Sequence, residues 1–300
     1  MWIKEPSRIN DHIDYLGTYE LCFYLIRGKI GMIIGGGMIH AEPALDRQFS
    51  AMGVEPEIVR YIVVTHSHFD HCGALPYLRQ RFPLAKVVGT KAAAHVFAKE
   101  KVVAYNAKMN DEAAEQLGFA DSCLRVQDRP ESLSIDMVVG DGDSIDLGGG
   151  LTARFFEVPG HSRCCLATYV PELRALFPTD TMPHPVDSPE DLSFPSAQFD
   201  FEQYVSSLKR LNTFDVDVLG LDHHGVLMHE QARDYLRNAL KRTLDFQKFV
   251  LERYAETGDL ERVSHEATKM AHEKVRLPFI TEELMLIITR AMIKSIVGVK

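Results

Sequence analysis

The chain has 300 residues, of which 46% are hydrophobic and 25% are charged, and its formal net charge at pH 7 is −9. This composition is typical of a globular protein with one large domain, or with a core and an accessory part. The negative charge argues against a protein that binds nucleic-acid backbones. No apolar run is long enough to span a membrane, and the first residues lack the apolar core of a signal peptide.

Five cysteines are present, two of them adjacent at Cys164 and Cys165, and no CxxC pair occurs. An odd count with this spacing does not indicate a disulfide framework. A reducing, cytoplasmic location is therefore predicted.

Alternating strands and helices are predicted through the first 228 residues, which is typical of a mixed α/β architecture. The predicted strands are 19–27, 30–34, 61–65, 85–89, 144–147, 151–158, 165–170, 175–177 and 216–221. The predicted helices are 43–52, 73–82, 91–118 and 200–211, the last with Asp200 as its N-cap, and residues 121–143 are less regular.

From residue 229 onward the pattern is helical, with predicted helices at 229–257, 260–274 and 282–297 and no strand signal between them. Their apolar faces must pack against the core or against a second subunit. The sequence thus predicts a catalytic core at 1–228 and a helical extension at 229–300, which either caps the site or forms a homodimer interface.

The segment after the apolar run 61–64 carries three imidazoles and a carboxylate, His66, His68, Asp70 and His71. Burying such groups without partners would cost roughly 1–3 kcal/mol each, and a divalent cation can partner all of them at once. Zinc, iron and manganese all accept these ligand types. In an extended chain every second side chain points to the same side, so His66 and His68 project together. Asp70 and His71 follow where the chain turns, and they can face a second ion.

The string from His66 to His71 matches the HxHxDH signature of the metallo-β-lactamase superfamily, and three later segments fit the same resemblance. They are the turn 158–162 with His161, the strand end 176–181 with Asp180, and the segment 221–225, which contains His223 and His224. The chain resembles this superfamily over residues 15–228. The resemblance implies a four-layer αββα sandwich followed by the helical extension.

The resemblance also implies a ligand set for two divalent ions. It assigns His66, His68 and His161 to one ion, it assigns Asp70, His71 and His224 to the other, and it makes Asp180 the bridge. His224 is preferred over His223 because it directly precedes Gly225, as in the terminal His-Gly turn of the family. In the alternative, His223 is the last ligand.

One position departs from the family. The strand before the metal motif commonly ends with an aspartate that supports the metal loop, and Gly35 stands at about that place here. The usual support of the loop is therefore in doubt.

The implied activity is hydrolysis, in which two ions hold a hydroxide that attacks a small ester or thioester. Asp70 would exchange a proton with the leaving group, and no serine or cysteine nucleophile is required. Within the superfamily, the layout is similar to quinolone-signal response thioesterases, whose C-terminal helices lie across the entrance of the site. That similarity implies a partly apolar substrate pocket, with candidate residues His184, His223, Phe194, Phe199, Leu277 and Phe279.

Each of these residues could instead have no contact with substrate and serve only in ordinary packing. For His184, the alternative is a position in a surface loop. There are two alternative functions. The protein could be a phosphodiesterase that uses the same metals, or a regulatory protein that retains the metal site. A flavodiiron-type redox enzyme is disfavoured because that group replaces one histidine of the metal loop and carries a flavin domain. The predicted partner is a small-molecule substrate, with no nucleic acid and no membrane.

Overall fold

The computed structural model of the chain describes residues 1–119, 125–272, 274–275 and 277–299, so Cys123 lies outside the described residues. The strands are β1 (Trp2–Ile3), β2 (Ser7–Asn10), β3 (Ile13–Gly17), β4 (Cys22–Arg27), β5 (Gly31–Ile34), β6 (Val59–Val63), β7 (Lys86–Gly89), β8 (Met137–Val138), β9 (Ser144–Gly148), β10 (Leu151–Glu157), β11 (Leu166–Val170), β12 (Ala175–Phe177), β13 (Val218–Gly220) and β14 (Val226–Met228). The helices are α1 (Glu42–Ala51), α2 (Leu75–Arg81), α3 (Lys91–Phe97), α4 (Glu100–Gln116), α5 (Phe201–Leu211), α6 (Glu230–Thr257), α7 (Leu260–His272) and α8 (Glu282–Val297).

The strands form two sheets, with the orders β1-β14-β13-β12-β11-β10-β9 and β2-β3-β4-β5-β6-β7-β8. Strand β4 shows how the sequence builds this arrangement. Its residues alternate between two hydrophobic clusters, because Tyr24 and Ile26 face the other sheet while Phe23 and Leu25 face the helices. A strand that is buried on both faces needs apolar residues at successive positions, as β4 has from Cys22 to Ile26.

Helices cover the outer face of each sheet. Leu45 and Phe49 of α1 and Leu75 of α2 belong to the cluster on the outer face of the sheet that contains β4. Tyr204 of α5 and Tyr235 of α6 belong to the cluster on the outer face of the other sheet. The expected four-layer α/β/β/α arrangement is confirmed.

The predicted elements of the core lie within a few residues of the observed ones, with two differences. The segment 91–118 forms two helices instead of one, because the chain is extended at Lys99 (φ −96°, ψ 109°) between α3 and α4. The strands β1, β2, β3, β8 and β14 were not predicted. Asp200 is the N-cap of α5, as predicted, and its carboxylate accepts a hydrogen bond from the backbone N–H of Gln203 at 2.9 Å.

The C-terminal region is helical, as predicted, and α8 has the predicted bounds while α7 ends at His272. Helices α6, α7 and α8 share a hydrophobic cluster that includes Phe246, Val263 and Met285, and the cluster also takes in Phe194 from the core. Among the described residues, no helix combines the length and apolarity that a membrane span requires.

We expect Gly160→Ala to destabilise the fold by about 3 kcal/mol, because the new methyl group has no space. A Cβ at this position would lie 2.3 Å from the backbone nitrogen of Tyr204, and Gly160 has a φ of +135°. Urea unfolding of the metal-free protein measures the effect. Gly53→Ala is the matched control, since Gly53 also has positive φ (+60°) but a Cβ added there would have no atom within 4 Å. We expect this control to cost about 1 kcal/mol, and equal losses in the two variants would contradict the steric explanation.

Candidate metal centre

The loop that follows β6 carries the predicted metal motif, and backbone contacts with the end of β5 hold it. The N–H of Gly73 donates to the carbonyl of Gly37 at 2.7 Å, and the N–H of Ala74 donates to Gly36 at 2.9 Å. A Cβ on Gly36 would lie 2.1 Å from the carbonyl oxygen of His71. Glycine at this position therefore lets the loop approach the end of the strand closely.

Two buried amides of α4 hold the other side of the loop. The side chain of Asn110 donates to the carbonyl of Phe69 at 2.8 Å, and its oxygen accepts from the N–H of Ile39 at 3.1 Å. One turn earlier, the amide of Asn106 donates to the carbonyl of Ser67 at 3.3 Å. Because buried polar groups are costly when unpaired, these bonds fix α4 and the loop to each other.

Three imidazole nitrogens meet in a first ligand group. His66 Nε2 lies 3.2 Å from His68 Nδ1 and 3.1 Å from His161 Nε2, and His68 Nδ1 lies 2.9 Å from His161 Nε2. Nitrogen ligands around one tetrahedral zinc ion lie about 3.3 Å apart, so this spacing suits a single cation. The structure thus brings together three residues that are up to 95 positions apart in the chain.

A second ligand group consists of Asp70, His71 and His223. His71 Nε2 lies 3.4 Å from Asp70 Oδ2 and 3.2 Å from His223 Nε2, and His223 Nε2 lies 3.6 Å from Asp70 Oδ2. All three side chains are buried. A mixed carboxylate and imidazole group suits zinc, iron and manganese alike.

Asp180 contacts both groups. Its Oδ2 lies 3.6 Å from His161 Nε2 and 3.3 Å from His71 Nε2, and its Oδ1 lies 3.7 Å from His223 Nε2. Oδ1 is buried and accepts no hydrogen bond from the described residues. A buried carboxylate oxygen without a donor requires another source of positive charge, so the donor set fits divalent cations.

The pKa values of the clustered side chains depend on their burial and on the charges of their neighbours. Burial and neighbouring imidazoles lower the pKa of His68 to about 3, and they also lower the pKa of His66. Burial opposes ionisation of Asp70, but the charge of His71 outweighs it and lowers the pKa of Asp70 to about 2. Burial alone would lower the pKa of His71, yet the carboxylates of Asp70 and Asp180 raise it well above its usual value. His66 and His68 therefore stay neutral, whereas Asp70 keeps its negative charge beside a positively charged His71.

The imidazoles are oriented by acceptors on their outer nitrogens. His66 Nδ1 lies 3.1 Å from the hydroxyl oxygen of Thr179, and His161 Nδ1 lies 2.7 Å from the carbonyl oxygen of Ser196. A ring that donates its N–H outward turns the lone pair of its other nitrogen toward the centre. These contacts orient both rings for metal binding.

Asp222 orients His71, and it was missed by the sequence analysis. Its Oδ2 lies 3.0 Å from His71 Nδ1 and accepts a hydrogen bond from the hydroxyl of Thr65 at 2.7 Å. The supporting carboxylate that Gly35 lacks is thus supplied from the end of β13. The only sequence signal for it was its place directly before His223.

We expect Asp222→Asn to weaken metal binding by about 10- to 100-fold, because an amide that turns its N–H₂ toward His71 no longer orients that ring. Titration of the metal-free protein with zinc measures the affinity. Thr65→Val, which removes the hydroxyl partner of Asp222 and leaves the carboxylate, should give a smaller loss. An unchanged affinity in Asp222→Asn would contradict the supporting role.

The structure does not place His224, the preferred last ligand, in the second ligand group. His224 adopts a left-handed backbone conformation (φ +69°), and its ring stacks on Tyr19 with the centroids 4.7 Å apart. Its Nδ1 lies 2.9 Å from the carbonyl oxygen of Pro185. The turn therefore directs His224 away from Asp70 and His71, and it places His223 beside them.

A cavity of about 380 Å³ opens onto both ligand groups. Its wall is mostly apolar and comes from the C-terminal helices, from α4 and from the loop between β12 and α5. Residues that contribute include Val102, Tyr105, Phe194, Leu277, Leu284, Met285, Ile288 and Met292. The contributions of α4 and α8 were not predicted residue by residue.

The predicted pocket residues divide into three groups. His184, His223, Phe194 and Leu277 line the cavity. Phe279 is buried, with its ring centroid 6.3 Å from that of Phe69, which lines the cavity. Phe199 is not among the described residues that line this cavity; the residue is 36% exposed, and the guanidinium of Arg163 lies 4.6 Å from the centre of its ring. Burial lowers the pKa of His184 well below its usual value, so its imidazole is neutral.

Comparison with known proteins gives the same fold. The chain is 27% identical over 184 residues to the metallo-β-lactamase fold-containing protein ST1585 of Sulfurisphaera tokodaii, which covers 61% of this chain and 67% of that protein. The solved structure of metallo-β-lactamase family protein TTHA1429 from Thermus thermophilus superposes with a TM-score of 0.64 at 16% identity, covering 93% of each chain. A metallo-β-lactamase from Cronobacter sakazakii, a HARLDQ motif mutant, superposes with a TM-score of 0.61 at 20% identity, covering 84% of this chain and 98% of that one.

The sequence profile described as Metallo-beta-lactamase superfamily matches residues 21–224, about two thirds of the chain. This range includes His66, His161, Asp180 and His223. The chain therefore belongs to the metallo-β-lactamase superfamily.

Proposed function

We propose that this chain is a hydrolase that binds two divalent ions and cleaves a small ester or thioester with an apolar acyl group. The observation that carries the proposal is the position of Asp180 between two ligand groups, at the floor of an apolar cavity. Divalent ions there would polarise a carbonyl group and activate water, so no serine or cysteine nucleophile is needed.

The residues of the chain have separate roles in this proposal. Asp180 would contribute a ligand to both ions, and each of the two histidine-containing groups would hold one of them. Asp70 faces the cavity as well as the second group, so it is placed to accept a proton from water or to return one to the leaving group. The cavity wall excludes water and binds the acyl chain.

The lining favours an acyl substrate over a phosphodiester. No arginine or lysine occurs among the described residues that line the cavity. Sites that bind phosphate esters commonly use such cations to position the anion. An uncharged acyl chain, as in a thioesterase substrate, fits the isoleucine and methionine side chains of α8 without an ionic partner.

A panel of substrates on protein loaded with zinc, iron(II) or manganese tests this proposal. The panel contains p-nitrophenyl acetate, butyrate and octanoate, an octanoyl thioester of N-acetylcysteamine, and bis(p-nitrophenyl) phosphate. We expect kcat/KM to rise about fourfold for each added methylene group until the cavity is full, because each buried methylene contributes about 0.8 kcal/mol.

Metal-free protein is the control for this panel. The proposal fails if no ester or thioester is cleaved faster by the metal-loaded protein than by the control. Cleavage of the phosphodiester alone would favour the alternative phosphodiesterase, and binding of metal without any hydrolysis would favour a regulatory protein.

A further inference from the structure

His184 lies in the loop between β12 and α5, four residues after Asp180, and its backbone is fixed on both sides. Its N–H donates to the hydroxyl of Ser193 at 2.8 Å, and its carbonyl accepts from the N–H of Ser193 at 2.8 Å. The carbonyl of Pro183 accepts a hydrogen bond from the hydroxyl of Tyr235, and the carbonyl of Pro185 lies 2.9 Å from His224 Nδ1. A loop residue held by this many contacts is positioned, not mobile.

The ring of His184 faces the cavity next to the second ligand group. Its centroid lies 5.0 Å from that of His223, and one ring nitrogen lies within 4.8 Å of a ligand atom of Asp180 and of His223. Among the described residues, His71, His161 and His223 each have a ring nitrogen within 4 Å of an Asp180 oxygen, and no such contact is found for His184. Asp180, His184 and His223 could hold an ion together, but the looser spacing of His184 favours a contact with bound substrate.

Most other uncharged polar side chains of the lining are already engaged. The amide of Asn106 donates to the loop backbone, the amide of Gln198 donates to the hydroxyl of Ser196 at 3.0 Å, and that hydroxyl lies 3.0 Å from His161 Nδ1. The described residues offer no hydrogen bond to the ring nitrogens of His184. Tyr105 also lines the cavity, but it is 49% exposed.

We propose that His184 is a catalytic residue, whose imidazole N–H donates a hydrogen bond to the acyl oxygen of the substrate beside the second ligand group. This inference rests on the proposed function. When the oxygen of water adds to the acyl carbon, the π pair of the carbonyl moves to the acyl oxygen, which then bears negative charge. The carbon–oxygen or carbon–sulfur bond to the leaving group breaks next, and the leaving atom takes its electron pair and a proton from the added water. A fixed donor at the acyl oxygen stabilises the charge at the first of these steps.

The test compares His184→Ala with His184→Gln in zinc-loaded protein, with p-nitrophenyl octanoate as substrate. We expect His184→Ala to lower kcat by about 100-fold, since loss of one such donor in a buried site has an effect of this size. KM should change by less than about threefold, and the amount of bound zinc should equal that of the unchanged protein. His184→Gln retains an N–H donor and should recover about tenfold of the lost rate.

Nuclear magnetic resonance gives a readout that does not depend on turnover. In protein labelled with ¹⁵N-histidine, the His184 signals are assigned by their loss in His184→Gln. Addition of octanoate, the expected acid product, should shift these signals and leave those of His95, which is exposed on α3, unchanged. This readout separates the inference from the proposed function, because product binding is measured even if no tested ester is cleaved.

Three results would overturn the inference. An unchanged kcat in His184→Ala would show that His184 only lines the cavity and has no part in the reaction. Loss of bound zinc in that variant would make it a ligand. Octanoate that shifts the signals of other cavity residues but not those of His184 would show that the imidazole does not contact the acyl oxygens.

Discussion

Asp180→Asn is expected to lower kcat/KM for an octanoyl ester by about 10³-fold or more, because one substitution removes a charged ligand from both proposed metal positions. Asp180 contacts His161 of the first group and both His71 and His223 of the second. The amide has the same shape as the carboxylate but carries no charge, so the buried geometry is kept. Elemental analysis after dialysis should find less than two ions per chain, together with the loss of activity.

Asp141→Asn is the control for this variant. Asp141 pairs with Arg210 on the surface and is not among the described residues that line the cavity, so Asp141→Asn should keep both ions and full activity. Two tightly bound ions and normal turnover in Asp180→Asn would contradict the sharing of Asp180.

His223→Ala is expected to abolish binding of one of the two ions, whereas His224→Ala should retain both. The two residues are adjacent, but only His223 reaches Asp70 and His71, while the ring of His224 is stacked on Tyr19. Loss of that stacking and of the contact with Pro185 should cost about 1–2 kcal/mol of folding free energy. Zinc titration measures the number of ions bound, and urea unfolding measures the stability of each variant.

This pair of variants controls for itself, because each removes one imidazole from the same turn. A protein that loses an ion in His224→Ala and keeps both in His223→Ala would reverse our assignment. That result would also support His224 as the last ligand, as its position directly before Gly225 predicted.

The motif from His66 to His71 could be predicted because its geometry is local. Side chains two residues apart in extended chain share a side, so the pairing of His66 with His68 follows from the spacing. His161 and Asp180 could be placed near the motif only through the resemblance to a family. Nothing in their spacing along the chain brings them to it.

The choice between His223 and His224 depends on one backbone angle. The left-handed conformation of His224 sends its side chain to Tyr19, and a sequence pattern does not show where a non-glycine residue adopts positive φ. Asp222 escaped notice for a related reason, because Thr65 and His71, which it contacts, lie more than 150 positions earlier in the chain.

The missed strands share a common cause. Strands β1 and β14 have two and three residues, and they pair with each other across more than 220 positions, with Trp2 opposite Leu227. Runs this short carry no periodicity that a sequence window can detect. Phe199 was misplaced because aromatic character alone does not distinguish a cavity wall from a surface ring that packs under an arginine.

The arrangement of two ligand groups around Asp180 can be tested most directly by anomalous X-ray diffraction from crystals of the protein grown with zinc. We predict two anomalous peaks, one among His66, His68 and His161 and the other among Asp70, His71 and His223, with Asp180 in contact with both. A single peak, no peak, or a second peak held by His224 in place of His223 would contradict it.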